Sequence, residues 1–231
     1  MDGYKRMNTF SWPEQPGNSA FPIAKPGIPF IAAAAAATLV LAIAGFSFLA
    51  LLSLGVTLFI CFFFRDPDRV VSDQPGAISS PADGKVVFAG RVDENPYIPG
   101  PCTKISIFMS VFNVHVNRIP LDGVVSEIRY FPGKFINASL DKSSIHNERN
   151  AVLIDADQGF RYATVQIAGL IARRIICGIK KGDTASRGAR FGLICFGSRL
   201  DVYLPTDIEI AVSLGDKVQA GTSIIGYHSH G

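Results

Sequence analysis

Between Pro26 and Phe64 the chain carries no charged side chain. This run constrains the fold more than any other feature. A single membrane-spanning helix needs about 20 apolar residues. A straight helix through the whole run, at about 1.5 Å per residue, would be nearly twice as long as a bilayer's hydrocarbon is thick. Two short passes, or a hairpin that dips in and out, fit that length better. Gly45 with Ser47 marks one turn, Gly55 a second candidate. A single strongly tilted span is the alternative, because tilt is a cheap response to excess length. Lys5, Arg6 and Lys25 precede the run, and Arg65 and Arg69 follow it. Positive charge on both flanks predicts that both ends stay in the cytoplasm. The run is too long, and starts too late, for a cleaved signal peptide. The expected organisation is therefore a cytoplasmic tail at 1–25, a transmembrane or membrane-hairpin anchor at 26–64 and a globular domain at 65–231.

After Arg65 the texture changes. Short runs rich in β-branched and aromatic residues alternate with Gly, Pro, Asn and Asp. Examples are GKVVFAG (84–90), TKISIFMSVFNVHV (103–116), AVLIDA (151–156), YATVQIAGLI (162–171), FGLICF (191–196) and DIEIAV (207–212). This predicts a mostly β (α+β) fold: a helical N-terminal anchor, then a domain of many short strands. PADGKVVFAG (81–90) and SLGDKVQAGTSIIG (213–226) each place a Gly/Asp turn before a short strand. The piece GDKVQAG resembles the turn-strand signature of barrel-sandwich hybrid domains such as lipoyl and biotinyl carriers. Lys217 lies within the turn-strand itself rather than at a hairpin tip, so it reads as structural. Two such copies far apart in sequence predict that the domain's ends meet in one β-structure.

Net charge is +3, and no basic run is interleaved with aromatics, so nothing points to nucleic acid. A slightly basic chain with an apolar anchor suits an anionic membrane. The four cysteines, Cys61, Cys102, Cys177 and Cys195, form no C-x-x-C pair. They read as reduced thiols, with neither a disulfide framework nor a metal site.

In ICFGSRLDVYLP (194–205), Gly197 and Ser198 separate two apolar runs. Taken alone, Gly-X in that setting reads as a hairpin turn. Ser198, His115 and Asp83 could also supply a nucleophile, a base and an orienting carboxylate. Each has an ordinary reading too: a turn cap, a half-buried strand histidine and a turn aspartate. Of the four histidines, His228 and His230 belong to the C-terminal tail and His146 to a polar loop, so only His115 is embedded in strand-like sequence. A serine hydrolase would usually present its nucleophile in G-x-S-x-G between a strand and a helix. Here Ser198 leads into another strand, so its nearest target is the Gly197 carbonyl.

The ordered set SPADGKV (80–86), FMSVFNVHVNRIP (108–120), PGKF…HNERN (132–150), VQIAGLIARRI (165–175), GLICFGSRLDVYLP (192–205) and GDKVQAG (215–221) is similar to phosphatidylserine decarboxylase. More narrowly, it resembles the short bacterial form with a hydrophobic anchor. The resemblance covers nearly all of 65–226. It implies that Ser198 attacks Gly197, that the chain is cut into 1–197 and 198–231, and that residue 198 becomes a covalent pyruvoyl cofactor. That group would condense with the amine of phosphatidylserine as a Schiff base, release CO2 and leave phosphatidylethanolamine. It further implies His115 and Asp83 as catalytic residues, and Asn147, Glu148 and Arg149 near the active site. Arg173 or Arg174 would meet the lipid phosphate. The implied location is the bacterial inner membrane, with the domain on the cytoplasmic side; a homo-oligomer is compatible with it. Two departures stand out. The common cleavage motif is Leu-Gly-Ser-Thr, whereas this chain has Phe196-Gly197-Ser198-Arg199. Many relatives carry two histidines three apart, whereas this chain has His115 and Arg118. An arginine cannot act as a base, so Arg118 binds a carboxylate or phosphate or forms a surface ion pair. The competing readings are a membrane-anchored serine hydrolase using Ser198, His115 and Asp83, and a non-enzymatic membrane adaptor.

Overall fold

A computed structural model describes residues 22–133, 146–169, 174–195 and 197–228. The described chain divides into two compact units, one ending at Asp68 and one beginning at Arg69.

The first unit is a helical hairpin. A 3-10 turn at Lys25–Gly27 leads into α1 (Ile28–Ile43), and α2 (Ser47–Phe63) follows. Between them Gly45 takes φ 81°, a left-handed value that favours glycine. The hairpin's outer surface is apolar: Leu39, Val40, Phe48, Leu51 and Leu58 are all exposed. Its seam holds hydroxyls. Thr38 Oγ1 lies 2.8 Å from Ser53 Oγ and 3.1 Å from Thr57 Oγ1. The hairpin's open end is closed by Ala24 N donating to Phe64 O at 2.7 Å and Asp66 N to Pro22 O at 2.8 Å. Counted with its 3-10 start, the segment Lys25–Ile43 is long and apolar enough to cross a membrane, and Ser47–Phe63 is a shorter apolar helix.

Among its described residues the second unit is mostly β. Its strands are β1 (Ala77–Ser79), β2 (Gly84–Val92), β3 (Cys102–Met109), β4 (Val116–Arg118), β5 (Gly123–Phe131), β6 (Arg149–Ala156), β7 (Arg161–Ala168), β8 (Ile175–Cys177), β9 (Thr184–Ala185), β10 (Arg190–Ile194), β11 (Ser198–Leu204), β12 (Ile208–Ile210), β13 (Lys217–Val218) and β14 (Ile224–His228). They form an eight-stranded sheet in the order β13-β2-β3-β11-β7-β6-β5-β9, and two three-stranded sheets, β1-β14-β12 and β4-β10-β8. The central strands β3, β11 and β7 of the eight-stranded sheet are buried on both faces. Ile105, Ile107, Leu200, Val202 and Phe191 belong to the main core. The other face carries Leu153, Ala163, Val165 and Tyr203, covered by Tyr97 and Ile98. The domain is thus mostly β, as its composition predicts.

The two Gly/Asp pieces do meet. Lys217 and Val218 pair with Lys85 and Gly84, while β14 pairs with β1. One expectation is corrected. The run 103–116 is not a single strand, because β3 stops at Met109 and the chain turns at 110–113. Asn113 Oδ1 accepts there from Ser110 N at 2.9 Å and from Ser110 Oγ at 2.8 Å. A side-chain acceptor that closes a turn locally competes with the sheet ladder. His115 therefore lies in a connection, just ahead of β4.

Gly84 opens β2 where backbone approaches backbone: a Cβ there would stand 2.2 Å from the Phe108 carbonyl oxygen. Gly84→Ala is expected to lower stability by about 1–3 kcal/mol through overpacking that backbone cannot relieve. Denaturant unfolding of the detergent-solubilised chain measures it.

Candidate active site

Strand β11 has partners along both edges. Its residues pair with β3 from Ser198↔Met109 to Leu204↔Thr103, and with β7 from Ser198↔Ala168 to Tyr203↔Ala163. Side chains alternate along a strand. Ser198, Leu200, Val202 and Leu204 face the main core; Arg199, Asp201 and Tyr203 face the opposite side. Ser198 is completely buried, and its Oγ donates to Met109 Sδ at 3.9 Å, a weak bond.

Gly197–Ser198 is not a hairpin turn. The strand before it, β10, pairs with β4 and β8; the strand after it pairs with β3 and β7. The connection passes from one sheet to another. Gly197 holds φ 62°, and nothing lies within 4 Å of where its Cβ would be. Glycine is needed there for backbone shape rather than for space. Phe196 lies outside the described residues.

His115 is brought to the same connection by the loop 110–115. That loop leaves β3 at Met109, the partner of Ser198. It returns with Ile194 N donating to His115 O at 3.4 Å, three residues before Gly197. His115 is fully buried, and its Nδ1 lies 3.0 Å from Asn113 O. A proton on Nδ1 donates to that carbonyl and leaves Nε2 as the basic nitrogen.

Asp83 is engaged elsewhere. Its Oδ2 accepts from Arg69 Nη2 at 2.8 Å, and its Oδ1 accepts from Ala220 N at 2.8 Å. Neither bond reaches His115, so the expected orienting contact is replaced by one that ties the 80–83 turn to the turn after β13. The neighbouring Pro81 O accepts from Arg118 N at 2.9 Å. Arg118 is buried, which removes the surface ion-pair alternative, and its Nη1 donates to Gly188 O at 2.9 Å.

Asn147 and Glu148 hold the end of β7 that lies opposite Ser198. Asn147 Nδ2 donates to Ala168 O at 2.7 Å, and Ala168 N donates to Glu148 O at 2.9 Å. Ala168 is the residue opposite Ser198. Burial pushes the Glu148 carboxyl above its ordinary value, partly offset by a hydrogen bond with Tyr130. Arg174 is exposed, and its carbonyl accepts from Cys195 N at 3.1 Å, at the edge of the same connection. Arg173 lies outside the described residues.

Two features escaped the reading of the sequence. One is a chain of buried amides. Asn117 Nδ2 donates to Met109 Sδ at 3.7 Å, Gln166 Nε2 to Asn117 Oδ1 at 2.9 Å, and Asn150 Nδ2 to Gln166 Oε1 at 3.1 Å. The signal was there: single amides inside the apolar strands HVNRI, TVQIA and RNAVL. The other is a buried ion cluster behind Ser198. Arg199 Nε and Nη2 fork onto Asp201 Oδ1 and Oδ2 at 2.7 and 2.8 Å, and Lys104 Nζ stands 3.5 Å from Oδ2. Burial alone would raise the Asp201 carboxyl; the Arg199 and Lys104 charges outweigh it and hold the group below its ordinary value. By contrast, burial pushes the Cys195 thiol up to about 11, so it is not a nucleophile at neutral pH.

The comparisons with known proteins agree on one family. The family model for phosphatidylserine decarboxylase matches residues 56–226. A phosphatidylserine decarboxylase proenzyme of Syntrophotalea carbinolica is 50% identical over 210 residues, covering 91% of this chain and 98% of the relative. That of Desulfotalea psychrophila is 49% identical over 205 residues, covering 89% and 96%. That of Solidesulfovibrio magneticus is 52% identical over 203 residues, covering 88% and 94%. The chain is therefore that of an enzyme. The chain belongs to the phosphatidylserine decarboxylase family.

Asp201→Asn is expected to cost about 3–5 kcal/mol at neutral pH, because it leaves buried cations without their carboxylate. The folded carboxyl titrates below the unfolded one, so its contribution is complete above about pH 4 and fades as pH falls through the folded value. The stability gap between wild type and variant should narrow in acid; urea unfolding at pH 7 and pH 3.5 measures it.

Proposed function

We propose that this enzyme decarboxylates phosphatidylserine to phosphatidylethanolamine and CO2, using a pyruvoyl group that it makes from its own Ser198. The observation that carries this reading is the connection at 195–197. It joins two different sheets, holds Gly197 in a left-handed conformation, and delivers a buried serine to the head of a central strand beside the loop that bears His115.

His115 Nε2 takes the Ser198 hydroxyl proton. The oxygen adds to the Gly197 carbonyl carbon, the bond from that carbon to the residue 198 nitrogen breaks, and the nitrogen leaves as an amine. The chain is then held by an ester. Loss of the residue 198 α-proton expels the Gly197 carboxylate and leaves a dehydroalanine. Water adds, ammonia departs, and the products are a large chain 1–197 and a small chain 198–231. The surroundings suit a small uncharged group: Ser198 is fully buried, with Met109 and Ala168 opposite it on the flanking strands. The pyruvoyl group supplies an electron-withdrawing carbonyl to the substrate amine, the chemistry that lets CO2 leave.

The protein's own part is holding and proton handling. Asn147 and Glu148 secure the end of β7 on which residue 198 rests. Arg118 keeps its charge throughout and so cannot share the base role of His115. Asp83 acts at one remove, by fixing the 80–83 turn against Arg118 and Ala220. A strand, not a helix, follows Ser198, which disfavours the serine hydrolase alternative. The apolar hairpin supports a membrane anchor, and the basic flanks support the inner membrane with the domain on the cytoplasmic side.

Intact mass of the denatured chain tests the reading. Wild type should give two chains split at Gly197–Ser198, the small one beginning with pyruvoyl. Ser198→Ala should stay whole and inactive, and His115→Ala should be cut roughly 10²–10⁴-fold more slowly. A whole wild-type chain that still decarboxylates phosphatidylserine would overturn it.

A further inference from the structure

Directly behind the proposed cleavage point lies an ion cluster that the chemistry above does not use. Arg199 is 1% exposed and Asp201 is 0% exposed. They sit two residues apart on one face of β11, joined by both arms of the guanidinium fork at 2.7 and 2.8 Å. Lys104, on the neighbouring β3, adds a second cation 3.5 Å from the same carboxylate. Aromatic rings close over the cluster. Lys104 Nζ lies 5.8 Å from the Tyr203 ring centre, and Tyr203 meets Tyr97 at 4.8 Å. Tyr97 itself is held by Asn95 Oδ1, which accepts from Tyr97 N at 2.9 Å and from Ile98 N at 2.8 Å.

Burying three charges is expensive, and well-packed apolar residues would stabilise the sheet at least as well. A pair at i and i+2 on one strand also does little to join strands. What it fixes is the backbone between its own two residues. Here that is the backbone immediately after Ser198.

We propose that Arg199 is a positioning residue: forked onto Asp201 and backed by Lys104, it clamps the first residues of β11 and so holds residue 198 in place through self-cleavage and afterwards. The inference rests on the cleavage reading given above. Arg199 faces away from Ser198 and touches none of the reacting atoms; it acts through the shared backbone. Before the cut, residue 198 is held from both sides along the chain. After the cut it is a chain end, and chain ends fray unless tied down. The ladders to β3 and β7 hold the backbone of β11, and the buried fork holds its second residue from the far face. A fork also fixes direction as a lysine ammonium does not.

The test uses the full-length chain in detergent at a temperature well below every variant's melting point. Arg199→Met combined with Asp201→Leu removes the clamp without stranding a buried carboxylate; Arg199→Lys keeps the charge and loses the fork. The double variant should be cut roughly 10–100-fold more slowly, the cost of a misplaced reacting group. Its processed form should exchange the amide hydrogens of 199–203 faster, with kcat lowered and KM unchanged. Arg199→Lys should fall between the double variant and wild type. If wild type is cut and both variants match it in cleavage rate and amide exchange, the clamp is only structural and the inference fails, whatever happens to Tm. If wild type itself is not cut at Gly197–Ser198, the cleavage reading fails and takes the inference with it.

Discussion

The domain is organised around the double pairing of β11. A strand hydrogen-bonded along both edges cannot shift register without breaking two ladders, and a one-residue slip would turn every side chain to the wrong face. In β11 that slip would bring Arg199 and Asp201 into the aliphatic core and swing Ser198 away from the loop that bears His115. Register here is a chemical requirement as well as a packing one. The buried amides add to it. Asn117, Gln166 and Asn150 satisfy one another only in one alignment of β4, β7 and β6, and an unmet partner in such a chain costs about 1–3 kcal/mol.

The same topology explains how a chain could be cut in its interior and stay folded. Residues 198–228 contribute β11 through β14. Three of those strands pair with strands from before residue 197: β11 with β3 and β7, β13 with β2, and β14 with β1. The fourth, β12, pairs with β14. The part beyond the proposed cut is thus laced into the eight-stranded sheet and into one of the small sheets. Cleavage at 197–198 would remove one covalent link and none of these ladders. The link it would remove is also one that no ladder spans, since β10 and β11 belong to different sheets.

Much of this was legible in the sequence where local chemistry decides the outcome. The short β-branched runs became strands, and PADGKVV met GDKVQAG because two Gly/Asp turns feeding short strands call for partners. The failures share a cause: long-range geometry outweighed a local pattern. The alternation in 103–116 reads as one strand, yet the amide and carbonyl of Ser110 are claimed by Asn113, and the strand ends. Taken alone, Gly197–Ser198 reads as a hairpin because Gly-X between two apolar runs is a turn signal, but each run pairs with other strands. Asp83 has the residue type for orienting a histidine, but a backbone amide 137 positions later and an arginine outside the quoted motif hold it instead. Arg199 and Asp201 alternate with leucine and valine as any solvent-facing pair would; burial of both faces of the sheet is what makes them a buried cluster.

The helical hairpin follows the opposite rule. In the domain, buried charges such as Arg118, Arg199 and Asp201 have partners, and among the described residues large exposed apolar side chains are few: Val70, Phe112, Val124 and Leu214. In the hairpin the outward side chains are apolar, from Ile28 to Phe62, and the hydroxyls of Thr38, Ser53 and Thr57 turn inward to one another. In water that arrangement forfeits the hydrophobic driving force on nearly every outward residue. In hydrocarbon it is the favourable one: aliphatic chains outside cost nothing, backbone groups are satisfied within each helix, and interhelical hydroxyl bonds supply attraction that apolar contact no longer provides. The hairpin's surface suits hydrocarbon and the domain's suits water; the two compact units divide between Asp68 and Arg69. An enzyme whose substrate is a lipid with a charged headgroup needs both.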